Sequence, residues 1–225
     1  MIGIIVATEM EAEELKKFIE IDHVETIANM KLYYGTMACK DVVMCRSQAG
    51  KGMASMATTI LCLYARVQGI INIGTAGGLR MDENVLDIVI SDKVVQADYD
   101  TSPLDGPEGL GLYFESDQQA RNACIQAAKE CGLPYHVGTI ASQDLFMSRE
   151  EDIQRVLRLF PDSICSEMEA GAIGQVCTAF QVPYVIVRSL SDIVHKQDNH
   201  MDYNEYAPIA SRNAARLVQK WLENL

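Results

Sequence analysis

The period of the hydrophobic positions changes along the chain, and each change marks an element. Residues 2–7 form a short unbroken apolar run, the pattern of a buried strand, and the acidic amphipathic stretch 9–19 reads as a helix. Residues 31–37 and 42–47 look like a hairpin around Ala38, Cys39, Lys40 and Asp41. An Ala/Met-rich helix is expected over 51–65, then a buried strand over 69–73 that ends in Gly74-Thr75-Ala76-Gly77-Gly78. A further strand is expected at 86–90, and a helix at 116–131 closed by Gly132 and Pro134. Strand 137–141, helices 150–159 and 169–180, strand 184–189 and a long terminal helix from about Asn204 complete the series.

Strands alternating with helices predict an α/β layer architecture with a largely parallel or mixed sheet. No repeat or linker divides residues 1–225, so one domain is expected. The loop-like stretch is 98–111, with Pro103, Pro107 and three glycines; a loop that long in a compact domain is usually functional. Ligands of such sheets lie at the carboxyl ends of strands. The segments there are Thr8-Glu9-Met10-Glu11, the glycine turn 74–78, Ser142-Gln143-Asp144-Leu145-Phe146 and Leu190-Ser191-Asp192.

Composition narrows the partners. The chain has 225 residues, 48% hydrophobic and 22% charged, which is ordinary for a globular protein long enough to bury a core. A net charge of −12 argues against nucleic acid, which needs a basic patch. The apolar runs near 60–63 and 69–73 are interrupted by Tyr64, Arg66 and Gln68, so no membrane span is expected. The first residues are apolar and then acidic, with no basic leader, and no secretory signal is expected. Seven cysteines, without a Cys-x-x-Cys pair, read as reduced and mostly buried in a cytoplasmic protein.

Taken singly, the polar motifs have bland readings. Gly74 to Gly78 lacks a dinucleotide fingerprint and Gly50-Lys51-Gly52 lacks Walker spacing, so both read as tight turns. Glu167-Met168-Glu169 complements a helix dipole, Ser191-Asp192 is a cap, and Glu11 is a solvated helix face. His195, Asp198, His200 and Asp202 match no standard metal spacing, and neither a metal nor a cofactor is expected.

Together, in one order, they are specific. I-G-I-I-V-A-T-E-M-E, G-T-A-G-G, S-x-D-x-F, S-E-M-E-A-x-A-I and V-P-Y-V-I-V-R-S-L-S-D run from residue 2 to residue 192, and the likeness they carry covers about residues 2–221. This pattern resembles the nucleoside phosphorylase superfamily, and most closely its methylthioadenosine/S-adenosylhomocysteine nucleosidases. The resemblance implies a single-domain three-layer α/β fold with a central mixed, mostly parallel sheet flanked by helices. It implies hydrolysis of the N-glycosidic bond of a 5′-substituted adenosine to adenine and free sugar, by a homodimer.

The same resemblance assigns roles. Asp192 matches the general acid at purine N7, positioned by Ser191; Glu11 matches the base that activates water, and Arg188 the arginine that helps hold that water. Glu169 matches the carboxylate facing the ribose hydroxyls and the sugar cation, with Glu167 in the same motif and Met168 on the ribose. Phe146 matches the residue stacked on adenine, and the main chain around Met147 reads the base edge. Thr75, with Ala76 and Gly77, stands where the family usually places a serine turn. Thr8, Ala49 and Tyr203 depart from the family pattern near the 5′-substituent and imply a roomier, more polar pocket.

Two other readings compete. A purine nucleoside phosphorylase would need cations for phosphate. Asn72 stands where phosphorylases carry an arginine, the acidic segment 8–11 replaces their Gly/Arg loop, and Arg46 is the residue that favours this reading. A non-catalytic nucleoside-binding protein on the same fold would have lost one of Glu11, Glu169 and Asp192, and all three are present.

Overall fold

A computed structural model describes residues 1–194 and 199–225, with side chains for all of these except 199–204. Tyr203 and the group His195, Asp198, His200 and Asp202 therefore lie outside the described side chains. The chain begins β1 (Ile2–Val6), α1 (Glu9–Lys16), β2 (Glu20–Ile27), β3 (Met30–Met37), β4 (Lys40–Arg46) and α2 (Lys51–Ile60). After α2 a single π turn at Leu61–Ala65 leads to β5 (Ile70–Gly78), β6 (Ile88–Asp100), the short α3 (Ser102–Asp105) and β7 (Leu110–Glu115). Then come α4 (Gln118–Glu130), β8 (Tyr135–Ser142), α5 (Glu150–Leu159), β9 (Ser163–Glu167), α6 (Ala170–Phe180), β10 (Tyr184–Ile193) and α7 (Asn199–Glu223).

Ten strands form one mixed sheet. Its hub is β5, which pairs in parallel with β1 and β10 and antiparallel with β9 at Gly77 and Gly78. Pairings β10–β6, β6–β8 and β8–β9 bring the sheet back to β5, so these five strands close on themselves. From β1 the hairpin strands β4, β3 and β2 fan outward.

Side-chain alternation divides the apolar residues between two faces. Ile4 and Val6 join a cluster with Leu15, Ala127, Leu217 and Trp221, from α1, α4 and α7. Ile5 points the other way, to Ala54, Ala57, Ile173 and Cys177 of α2 and α6. Helices thus cover both faces, and each wholly buried Ile or Leu contributes about 1.5–3 kcal/mol by leaving water. A smaller cluster seats Ile153 and Val156 of α5, with Phe160 just after it, against Val95, Ala97 and Ala141. Among the described residues no helix is long and apolar enough to cross a membrane.

Three strands escape the hydrophobic pattern. All but one residue of β2 are exposed, so no apolar alternation marks it. β9 is wholly buried, yet Ser163, Ser166 and Glu167 make it polar. β7 occupies part of the expected loop 98–111: β6 continues to Asp100, and only two short helical turns separate it from Leu110. The β3–β4 turn is also tighter than expected, with Ala38 and Cys39 both at positive φ where Asn-Gly is the usual choice.

Candidate active site

A cavity of about 180 Å³ opens where the carboxyl ends of β1, β5, β9 and β10 meet the segment after β8. All residues to which the resemblance assigns a role in the site line it, with two exceptions: Arg188 lies behind it, and Tyr203 is outside the described side chains.

Glu11 enters from the first turn of α1, whose start is a reciprocal cap. The Thr8 hydroxyl accepts from Glu11 N at 3.2 Å, and Glu11 Oε2 accepts from Thr8 N at 2.9 Å. Oε2 also accepts from Ala7 N at 2.9 Å, and Oε1 from Thr75 N at 3.0 Å across the sheet. Three main-chain donors therefore fix a buried carboxylate against the cavity. Gly74 makes room for this: a Cβ there would stand 2.8 Å from Glu11 Oε1 and 2.7 Å from Arg188 Nη1.

Ser191 and Asp192 are neighbours on β10, and in a regular strand they would face opposite ways. Here the register against β5 shifts between Leu190, opposite Ala76, and Asp192, opposite Gly77. Ser191 is the extra residue, and the irregularity lets both side chains reach the cavity. The Ser191 hydroxyl donates to Asp192 Oδ1 at 2.6 Å, while Oδ2 would lie 3.0 Å from a Cβ on Gly77. Thr75, Ala76 and Gly77 form the wall beside them.

The Glu167-Met168-Glu169 segment joins β9 to α6. Glu167 Oε2 accepts from Glu169 N and Ala170 N at 3.0 and 2.8 Å, capping α6. It also pairs with the Arg188 guanidinium. Arg188 Nη2 further donates to Asn72 Oδ1 at 2.6 Å and lies 3.5 Å from Glu169 Oε2. Arg188 is wholly buried and does not line the cavity, because β10 alternation turns it to the rear of the acids. It remains charged there: burial pushes its pKa down, but Glu167 and Glu169 more than offset that. Glu169 behaves oppositely. Burial first, then the Glu167 charge, push its carboxyl up to about 7, against Arg188 and the Gly50 N–H, which donates to Oε1 at 3.0 Å.

The remaining wall is less polar. Phe146 is half exposed at the mouth and Met147 buried below it, with Met168, Thr8 and Ala49 around the cavity. The motif reading missed Ala7, Leu145, Ser166 and Val194, which also line it. They carry no distinctive chemistry, and only their strand-end positions could have flagged them. Asn72, by contrast, is internal, its amide donating to Ile5 O at 3.0 Å and its oxygen held by Arg188. Arg46 is paired with Glu9 at 2.9 Å and lies outside the cavity.

Electrostatically the site is one-sided. Glu11, Glu167, Glu169 and Asp192 all line the cavity, and among the described residues no Lys, Arg or His does. Such a site favours a group that becomes cationic and opposes an incoming polyanion.

The model of the phosphorylase superfamily matches residues 1–223. A 5′-methylthioadenosine/S-adenosylhomocysteine nucleosidase of Halalkalibacterium halodurans is 39% identical over 221 residues, covering 96% of this chain and 95% of that protein. The nucleosidase of the same name from Neisseria meningitidis, solved with methylthio-immucillin-A, superposes with a TM-score of 0.94. It is 30% identical, and the match covers 100% of this chain and 99% of that one. Futalosine hydrolase of Helicobacter pylori shares the fold with a TM-score of 0.92 at 24% identity, over 100% of this chain and 97% of that one.

Proposed function

The chain belongs to the phosphorylase superfamily and, within it, to the methylthioadenosine/S-adenosylhomocysteine nucleosidases, and from that premise we propose how its cavity breaks the glycosidic bond. The enzyme hydrolyses 5′-substituted adenosines to adenine and the free sugar. Three tasks follow from that chemistry: protonate the leaving purine, stabilise a cationic sugar, and deliver water to the opposite face.

In our reading Asp192 donates its proton to N7, so the C1′–N9 electron pair leaves on a neutral adenine. The Ser191 hydroxyl fixes the orientation of the carboxyl through Oδ1. Glu169 accepts the ribose hydroxyls and sets a negative charge beside C1′ as the cation develops. Glu11 takes a proton from water while the water oxygen bonds to C1′. Its three main-chain donors leave acceptor capacity on Oε1 for that water. Arg188 acts from behind: it neutralises Glu167 and borders both Glu169 and Glu11, so we assign it the positioning of these acids. Phe146 and Met147 hold the base, and Met168 packs on the sugar.

The observation that carries this reading is the cavity lined by four acids, with no basic side chain among the described residues. A phosphorylase would have to bring phosphate into that field. The two residues that could have helped it are engaged elsewhere, Arg46 with Glu9 and Asn72 with Ile5 and Arg188. Incubation with methylthioadenosine, S-adenosylhomocysteine, adenosine and inosine, with and without phosphate, tests it. Adenine release independent of phosphate, with free sugar as product, is expected; a sugar 1-phosphate formed only with phosphate overturns it.

We extend the proposal to assembly and the 5′ end. A homodimer in which the turn 101–109 helps close the partner's site would cover Leu104, which is 89% exposed at the tip of that turn. A fully active monomer by light scattering would contradict this. The small Ala49 and the polar Thr8 at the cavity wall favour longer or polar 5′-groups. A cytoplasmic setting agrees with the seven unpaired cysteines.

A further inference from the structure

Three charged residues outside the cavity form a closed ring. Lys51 N donates to Asp144 Oδ1 at 2.7 Å, and Asp144 N donates to Asp98 Oδ2 at 3.0 Å. Asp98 Oδ1 then accepts from Lys51 Nζ at 2.5 Å, which returns to the first residue. The three come from the start of α2, the end of β6 and the segment after β8. None of them lines the cavity, and the mechanism above uses none.

Each corner of the ring adjoins a group that does touch the cavity. Gly50, immediately before Lys51, gives its N–H to Glu169 Oε1. Asp144 lies two residues before Phe146 in the same segment. Lys51 Nζ also reaches Gln96 Oε1 at 3.3 Å, and Gln96 donates to Gln175 of α6, the helix that Glu169 opens. Helix α2 has no side-chain cap of its own. Its first N–H groups are taken instead by Glu169 and Asp144, an arrangement its dipole favours.

We propose that Lys51, Asp98 and Asp144 are a positioning clamp that holds the Gly50 N–H on the Glu169 carboxylate and sets the spacing between Glu169 and Phe146. A lone, partly exposed Lys–Asp pair would contribute little. A ring differs, because the Lys51 ammonium on Asp98 closes a circuit whose other two links are main-chain hydrogen bonds, Lys51 N–H to Asp144 and Asp144 N–H to Asp98. Burial pushes the Asp98 carboxyl up, yet the Lys51 ammonium and the Asp144 N–H hold it below the usual carboxylate range. Without that cation the ring opens, the Gly50 turn is released, and Glu169 loses a donor that favours its ionised form. Among the described residues the charged groups acting on Glu169 are then Glu167 on β9, Arg188 on β10 and Glu11 on α1, two of them repulsive to its charge.

The inference rests on the assignment of Glu169 to the ribose. Its test is the pH profile of kcat/KM and kcat for Lys51→Met, Asp98→Asn and Lys51→Arg with methylthioadenosine, alongside thermal midpoints. In Lys51→Met and Asp98→Asn the acid limb of kcat/KM is expected to move upward by about 0.5–1 pH unit, with KM raised about three- to tenfold near pH 6. At high pH kcat is expected to stay within about threefold of wild type, and Lys51→Arg to restore the profile. Folded variants with an unmoved limb and unchanged KM overturn the clamp. So does a loss equal at all pH values that follows thermal stability, since a merely structural ring would produce that. Glu169→Ala is measured in parallel: if it keeps wild-type kcat/KM, the ribose assignment has failed, whereas its collapse beside silent clamp variants leaves only the clamp refuted.

Discussion

Two buried glutamates on opposite sides of β5 titrate alike and serve different ends. Glu169 and Glu83 are each pushed up to about 7, in both cases chiefly by burial. Glu169 faces a cavity, has Arg188 and a main-chain donor beside it, and is one of four acids around the same space. Glu83 faces none. Its Oε2 accepts from Arg80 N at 3.0 Å, its Oε1 has no hydrogen-bond partner among the described residues, and it lies beneath Gly78, where a Cβ would come within 2.7 Å. Burial alone can perturb titration, and the shift becomes evidence of chemistry only when a ligand can reach the group.

The comparison is broken most sharply by removing the acids on the cavity side. Asp192→Asn keeps the size and a hydrogen bond but has no proton to transfer, so kcat is expected to fall about 10²–10⁴-fold while a non-cleavable adenosine analogue still binds. Glu11→Gln should behave similarly, because the water loses its base. Near-normal turnover in Asp192→Asn would refute the acid assignment and the mechanism with it. Glu169→Ala differs in kind: losing ribose hydrogen bonds and a charge near the cation, it should raise KM and also lower kcat. A KM effect alone in steady-state kinetics would remove Glu169 from the transition state.

On the other side, Glu83→Gln should leave kinetics unchanged and alter only stability. The raised pKa of Glu83 means that the folded state binds its proton more tightly than the unfolded state does. Its contribution is fully present below about pH 4.5 and is lost as pH rises through about 7. Arg80 and His136 oppose the shift, while Asp82 adds to it. The neutral glutamine should therefore unfold at the same temperature as wild type near pH 4.5, yet gain about 3 kcal/mol near pH 8. Equal stability of the two proteins across that range, by thermal melts, would show that Glu83 is ionised in the fold. The smallest effect is expected at Thr8, whose hydroxyl caps α1: Thr8→Ala should cost about 1 kcal/mol in chemical denaturation. A neutral result would leave Thr8 only its place on the cavity wall.

What the sequence by itself determined is the set of long periodic elements and the chemistry-bearing motifs. Strands 2–7, 69–73 and 184–189 were legible because burial on both faces demands unbroken apolar runs. Glu11, Glu169 and Asp192 were legible because their residue types, order and spacing match one family. Strands β2 and β9 were not, since one has no buried face and the other buries polar side chains for the site's sake. The irregularity that turns Asp192 beside Ser191, and the withdrawal of Arg188 behind the acids, depend on strand register, to which a single strand's residues give no clue. The Lys51–Asp144 contact joins residues 93 positions apart, and Asp144–Asp98 spans 46. Only closure of the sheet through β5, β10, β6, β8 and β9 brings their elements together, because local propensity acts over a few residues and these partners meet through the register of whole strands.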